Sequence, residues 1–335
     1  MTSERTIPWV DPFTNEVLRE DNQYLVSKNS RYLIKNGIPN FAESVSDNEQ
    51  KQVQESFGEK WTKSDVAQSD ENYELKMWKQ TALDVMGITE SDLQIFENKK
   101  VLDVGCGSGS TIRMWASHAS EFHGVDISKA VYKAPNALTS FNIDGIFSQA
   151  DLNYLPYDDN SFDIIVSAGV LHHTPNTKSA LKNIIRKIKP NGNCLFYIYK
   201  KKSPLREYAD DYIRSKVSDL PYDVVWEQMK EITTFSKALH DQNIHITIPE
   251  DLNVLGIKKG EYDLQRFIYQ YFFKCYWNDV HEFEVSNLIN IDWYHPKFAW
   301  RHTENEIRNW CQEFNLQIEY LKESESGYSC LIKKL

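Results

Sequence analysis

The stretch Asp103-Val104-Gly105-Cys106-Gly107-Ser108-Gly109 sets three glycines at alternate positions directly after the apolar run VLDV. Glycine lets a backbone turn sharply and approach a bound molecule closely, because no Cβ stands in the way. Taken alone, the loop fits a nucleotide-binding turn or a tight turn with no further role. Asp126 lies 17 residues beyond Gly109, at the end of a second strand-like run. A carboxylate there can accept hydrogen bonds from both hydroxyls of a ribose, or cap the helix that follows. Asp151 ends a third run and poses a similar choice, between an exocyclic adenine amine and a turn. His172 and His173 follow a fourth run. A histidine near neutral pKa can take a proton from an alcohol or a protonated amine, or it can pack.

These residues need elements that bring them to one edge. VLDVG, EFHGVD, GIFSQAD, FDIIVSAG and CLFYIY read as strands, the first and fourth of near-continuous apolar character. Between them STIRMWASH reads as a helix, and Leu181, Ile184, Ile185 and Ile188 fall at helical spacing before Lys189-Pro190-Asn191-Gly192 breaks the pattern. Strand and helix in alternation predict an α/β fold, a doubly wound parallel sheet with right-handed crossovers. Such sheets bind ligands at the carboxyl ends of their strands, where the strand order switches. Thr303 and Glu306 form a T-x-x-E capping box for a last helix, and QIEYL and YSCLIKK read as an antiparallel pair closing the sheet.

In order and spacing, VLDVGCGSGS, GVDIS, ADLNYLPYDDNSFDIIVSAGVLHHTP and IKPNGNCLFYI resemble the successive motifs of the class I S-adenosylmethionine methyltransferases. The likeness covers about residues 99–199 and implies a seven-stranded Rossmann-like sheet with a reversed last strand. The D-x-G-x-G-x-G pattern differs from the G-x-G-x-x-G of dinucleotide folds. By position, the resemblance puts the glycine loop Gly105-Cys106-Gly107-Ser108-Gly109 under the methionine part of the cofactor, with Asp103 and Gly105 near its amino group. It puts Asp126 and Ile127 at the ribose and adenine, Asp151 and Leu152 at the adenine, and Ser167, Ala168 and Gly169 beside the sulfonium. Methyl transfer is an in-line displacement that depends chiefly on holding the acceptor at near-attack distance, so a base such as His172 or His173 is optional.

The organisation expected is a small β-rich leader over 1–45, a linker and cofactor-covering helices over 46–96, the S-adenosylmethionine-binding core over 97–203, a helical lid insertion over 204–296, and a last helix with the antiparallel pair over 297–335. The polar stretch 43–52 reads as linker, and a helix is expected over about 70–87. The leader resembles the zinc-ribbon-like module that precedes many bacterial methyltransferases, but Asp11-Pro12-Phe13-Thr14 stands where Cys-Pro-x-Cys would be, so no zinc is expected. Phe57-Gly58 and Trp61 resemble a segment that lies over the cofactor in such enzymes; ordinary core aromatics fit equally. DWYHPKFAWRHTENE, with Trp293, Tyr294, His295, Arg301 and His302, resembles the ends of insertions that help form substrate pockets. Tyr294 and His295 join the catalytic candidates. Tyr269 with its aromatic neighbours offers a face for a cation or a flat substrate, and Arg266 and Arg301 offer forks for a carboxylate or phosphate; core packing and surface solvation are their alternatives.

The chain has 335 residues, 41% hydrophobic and 26% charged, an ordinary globular balance larger than one small domain. A formal net charge of -10 argues against a nucleic-acid partner, whose affinity rests on cationic side chains. The five scattered cysteines give no disulfide framework. With no secretory pattern at the N-terminus and no apolar run of about 18 residues, a cytoplasmic protein without membrane partners is expected. The reading is an S-adenosylmethionine-dependent enzyme methylating a small molecule at oxygen, nitrogen or sulfur, with a homodimer left open. RNA or protein acceptors, or a scaffold without turnover, are the alternatives.

Overall fold

The computed structural model describes residues 7–42, 48–63, 82–139 and 143–335. Two compact units divide them. One comprises residues up to Lys200 together with His302–Leu335, the other Lys201–Arg301.

The first unit is built on a seven-stranded sheet. Strands β1 to β4 (Arg19–Asp21, Tyr24–Val26, Arg31–Lys35, Ile38–Pro39) form a small antiparallel sheet of their own in the leader. The main sheet holds β5 (Lys100–Val104), β6 (Glu121–Asp126), β7 (Ile146–Gln149), β8 (Phe162–Ala168) and β9 (Ile188–Tyr199), all parallel, with β12 (Leu316–Glu323) and β13 (Gly327–Lys334) antiparallel at one side. Its order, β12-β13-β9-β8-β5-β6-β7, reverses between β5 and β8. The crevice of a doubly wound sheet therefore opens at the carboxyl ends of those two strands, beside Gly105 and Gly169. Both faces of the sheet are buried: Leu102, Ile165 and Phe196 lie in one cluster, and Val101, Ile164 and Leu195 in another.

The helices of this unit are α1 (Asn48–Lys63), α2 (Ala134–Thr139), α3 (Thr177–Arg186) and, after the second unit, α8 (Glu304–Glu313). The T-x-x-E box is present: Thr303 Oγ1 accepts from Glu306 N, and Glu306 Oε2 accepts from Thr303 N. Ile184 and Ile185 of α3 and Ile307 and Trp310 of α8 bury their stripes in the first of those clusters. The break at 189–192 sits within β9 as an irregularity in its pairing with β8, where Asn191 takes φ +64.

Two expectations need correction. STIRMWASH is not an α-helix but two short 3₁₀ turns, Ile112–Met114 and Ala116–His118. Ser108, Gly109, Ser110 and Thr111 favour caps and turns over helix interiors, and Trp115 is pinned by stacking on Phe96 at 5.1 Å. The linker reading fails from Asn48 onward, because 48–52 already belong to α1, which buries only Val53 and a few polar groups. Of the helix expected over about 70–87, positions 70–81 lie outside the described residues, and 82–86 are helical.

The leader docks on the sheet instead of standing apart. Asn40 bridges Gln149 in parallel, Phe41 N donates to Gln149 O at 2.7 Å, and Val10 N donates to Pro156 O at 3.1 Å. Trp9, Leu25 and Phe41 share a core with β5 and β8. This extension covers the free edge of β7, which an exposed strand would otherwise offer to other chains.

The second unit contains α4 (Pro204–Val217), α5 (Tyr222–Asp241), α6 (Leu264–Tyr271) and α7 (Glu282–Tyr294), with a hairpin of β10 (His245–Ile248) and β11 (Gly260–Asp263). The hairpin is absent from the sequence reading, since GEYD carries no apolar alternation. The unit's interior is unusually polar. Arg206 and Asp210 of α4 pair at 3.1 Å, each 1% exposed.

Candidate active site

Four strand ends converge on the crevice. Gly105, Gly107 and Gly109 all take positive φ, at +81, +54 and +86. A Cβ on Gly105 would stand 2.2 Å from Val170 Cγ2, so only glycine lets the loop pack against the segment that follows β8. Gly169 also takes φ +80, but a Cβ there meets nothing within 4 Å. Open space, a cradle, thus lies in front of Gly169 at the end of β8.

Asp126 is the keystone of the loop. Its Oδ2 accepts from Gly107 N at 2.8 Å and its Oδ1 from Ser128 N at 2.7 Å. Ser128, not Asp126, caps the 3₁₀ turn that follows, Lys129–Lys133, accepting from Ala130 N. Burial pushes the Asp126 carboxyl up, and the amides of Ser128 and Gly107 oppose that shift. Asp103 has fewer donors. Burial raises it to about 7, the Asp126 charge adds to the rise, and the hydroxyl of Thr111, 3.0 Å away, works against it. Burial beside both carboxylates holds the Cys106 thiol well above its ordinary range, so it stays protonated and unreactive.

Asp151 caps the turn Leu152–Tyr154, its Oδ1 accepting from Asn153 N at 2.8 Å, so the turn role weighed for it is present. Ser167 Oγ donates to Val104 O at 3.3 Å, tying the ends of β8 and β5. Ile127 is held by two side chains that the sequence reading passed over: Gln54 Nε2 and Gln149 Nε2 donate to its carbonyl at 2.8 and 2.9 Å. A glutamine in a polar helix, or one at the end of a strand, gives no signal that sets it apart.

Helix α1 lies across this edge. Besides Gln54, its Phe57 ring meets the His173 ring edge-on at 4.9 Å, and a Cβ on Gly58 would come 3.9 Å from Ser128. The side chain of Trp61 lies outside the described residues.

His172 and His173 occupy a short turn, Leu171–His173, beyond β8. Their rings are 4.2 Å apart, and the His172 ring lies 3.8 Å from that of Tyr199 at the end of β9. His172 is wholly buried, and among the described residues neither of its ring nitrogens has a hydrogen-bond partner. A buried polar group in that state costs about 1–3 kcal/mol. Burial, then His173, His302 and Lys60, hold its pKa well below the ordinary histidine value, so it is neutral. His302, where the chain re-enters this unit, bonds Thr177 Oγ1 at 2.9 Å.

The remaining candidates belong to the second unit, and each has partners inside it. Trp293 Nε1 donates to Asp210 Oδ2 at 2.8 Å, and Tyr294 Oη lies 2.8 Å from Asp210 Oδ1. Burial and Asp210 push the Tyr294 phenol far above its usual value, which leaves it protonated. His295 Nε2 meets Leu220 O at 3.0 Å, and Arg301 binds the carboxylates of Glu207 and Asp211. The ring of Tyr269 lies beneath the guanidinium groups of Arg266, at 4.2 Å, and Arg206, at 4.6 Å. Their packing alternative is thus visible in each case.

Among the described residues no three His, Cys, Asp or Glu side chains gather as metal ligands, and no helix is long and apolar enough to cross a membrane. In the leader, Asp11 is buried at a turn. Its Oδ1 accepts from Phe13 N and Thr14 N at 2.8 and 2.9 Å, and its Oδ2 from Tyr32 Oη at 3.1 Å.

Comparison with known proteins agrees with this geometry. Residues 102–196 match a family described as "Methyltransferase domain". Over 182 residues the chain is 29% identical to a phosphoethanolamine N-methyltransferase of Triticum aestivum, covering 50% of this chain and 34% of that protein. Over 101 residues it is 34% identical to a ubiquinone biosynthesis O-methyltransferase of Coxiella burnetii, covering 30% of this chain and 43% of that protein. The chain thus spans less than half the length of these curated relatives. Residues 102–196 are thus a methyltransferase domain by this match, set in the seven-stranded sheet. Among solved structures, a magnesium protoporphyrin IX methyltransferase of Synechocystis is 13% identical over 86% of this chain and all of the other, at a TM-score of 0.47.

Proposed function

We propose that the whole chain is an enzyme that transfers the methyl group of S-adenosylmethionine to a small-molecule acceptor. The observation that carries this reading is the pairing of Asp126, at the end of β6, with the Gly107 amide in the loop after β5, together with the open space at Gly169. Asp126 accepts from the Gly107 and Ser128 amides and from the Ser128 side chain, and a carboxylate's remaining acceptor capacity serves the ribose hydroxyls. Asp103 takes the methionine ammonium, Ile127 and Leu152 line the adenine with Asp151 at its amine, and Ser167 to Gly169 flank the sulfonium. Phe57 on α1 closes over the bound cofactor. The cofactor supplies an activated methyl group, and the protein's part is to fix the acceptor in line with it and exclude water.

A small acceptor is favoured because the chain is acidic, with 48 carboxylates against 38 lysines and arginines, a poor surface for a polyanion. Calorimetric titration with S-adenosylmethionine and S-adenosylhomocysteine tests the reading. Dissociation constants in the micromolar range are expected for both, and Asp126→Ala is expected to weaken each by more than tenfold, about 1.4 kcal/mol. Absence of binding by either compound overturns the assignment.

A further inference from the structure

Both nitrogens of His172 are buried and unpartnered among the described residues, at the same strand edge as the cofactor cradle. The ring is fixed without them: Tyr199 lies against one face at 3.8 Å, His173 packs at 4.2 Å, and Tyr197 meets it edge-on at 6.4 Å. Nothing in that packing needs an imidazole, since a hydrocarbon ring would fill the place and leave no polar atom bare. The nitrogens are therefore set aside for a bound molecule. We propose that His172 is the residue that receives the acceptor, and that the acceptor presents a hydroxyl. This inference rests on the methyltransferase reading above and narrows it.

Two arguments select a hydroxyl. A neutral imidazole offers one donor and one acceptor, and a hydroxyl is both at once, whereas a thiol does each weakly. The charged and titratable groups around His172 are His173 on its own turn, Tyr197 and Tyr199 on β9, Lys60 on α1, and His302, behind which stand Thr177 and Glu306. Those whose charge acts on the ring are Lys60, His173 and His302, each positive or neutral. That field repels an amine, which arrives as an ammonium near neutral pH, and stabilises an oxygen that becomes negative as it loses its proton.

The reaction balances without another reagent. An oxygen lone pair attacks the methyl carbon and forms the O–CH₃ bond while the C–S bond breaks. The sulfur keeps that electron pair and becomes a thioether. The hydroxyl proton passes to the free nitrogen of His172 and from there to water, restoring the neutral ring.

The test uses the full chain, S-adenosylmethionine labelled with carbon-13 at the methyl, and a small-molecule extract as the source of acceptor. The chemical shift of the transferred methyl reads the atom that received it; a methyl ether is expected, and a methyl ester, formed from a carboxylate with no proton to give, overturns the proposal. A methyl group on nitrogen, sulfur or carbon overturns the proposal while leaving the methyltransferase reading intact. Failure to bind S-adenosylhomocysteine defeats the earlier reading instead. His172→Phe keeps the ring and its stacking but removes both nitrogens. It is expected to fold, to bind S-adenosylhomocysteine within twofold of wild type, and to lose about a hundredfold or more in kcat, together with the limb of the pH profile that reports proton acceptance. Wild-type kcat and pH profile in that variant overturn the role. Nitrogen-15 NMR of the histidine rings gives a readout independent of turnover: the signals missing from His172→Phe must show a neutral ring at pH 7, and a protonated ring there rules the proposal out.

Discussion

At the scale of single residues, Asp103 and Asp126 share a site but carry different burdens. Asp126 is met by two amides, whereas Asp103 is buried with one hydroxyl and rises to about 7. Its folded pKa therefore exceeds the unfolded value of 3.8, so its favourable contribution to stability is full below that value and is lost as pH rises through about 7. Above that range the ionised carboxylate costs on the order of 4 kcal/mol, a cost that a cationic partner removes. If the methionine ammonium is that partner, cofactor binding releases a proton below about pH 7 and weakens as pH falls, by up to tenfold per unit. Calorimetry in buffers of different ionisation enthalpy checks this, and binding at pH 6 without proton release refutes it. Gly169 gives a second prediction. Alanine there collides with nothing but must hold φ +80, a strain of about 1–2 kcal/mol, so the protein is expected to fold with a modestly lowered Tm. The added methyl fills the cradle, and affinity for S-adenosylhomocysteine is expected to fall at least tenfold by the same titration. The site was legible where backbone geometry demands glycine or carboxylate and opaque where ordinary side chains act. The loop and Asp126 stand out in the sequence, whereas Gln54, Gln149 and Tyr199 do not, because nothing in their types or spacing distinguishes them from any polar or core residue.

At the scale of elements, periodicity exposed the five parallel strands and the antiparallel pair, since burial on both faces leaves apolar runs that no surface helix shows. It failed at STIRMWASH, where tertiary anchoring of Trp115 overrode helical spacing, and at the β10–β11 hairpin, whose strands are only half-buried. In the leader, Asp11 closes a turn with two amide bonds and reaches Tyr32. Burial raises the Asp11 pKa, but hydrogen bonds from Ser30, Phe13, Thr14 and Tyr32 outweigh it and bring the net value down, while the Tyr32 phenol rises to about 12. Asp11→Ala is expected to destabilise the protein by about 1–3 kcal/mol, because it leaves the Tyr32 hydroxyl buried without its acceptor. Adding Tyr32→Phe should recover part of the loss in a denaturation midpoint, and full additivity of the two changes would show that the pair does not interact.

At the scale of the molecule, one sheet carries the cofactor edge, the leader that seals its outer strand and the helix that crosses its carboxyl ends, all in the first unit. The second unit is held by its own internal charges, chiefly Arg206 with Asp210, the carboxylate that Trp293 and Tyr294 also share. The chain leaves the first unit at Lys200 and returns at His302, and these two residues bridge each other in parallel, with His302 N donating to Tyr199 O at 2.9 Å. The 101 residues between begin and end at one spot. In evolutionary terms, Lys201–Arg301 is a cassette: an insertion point at which one sequence can be exchanged for another without re-registering the sheet. Because the bridged ends run in the same direction, a connector replacing the cassette needs a crossover of roughly a dozen residues, not a tight turn. A chain so shortened is expected to fold and to bind S-adenosylhomocysteine near the wild-type constant, and loss of that binding would show that the cassette belongs to the cofactor site. A lineage that swaps this segment inherits the sheet and its crevice unchanged.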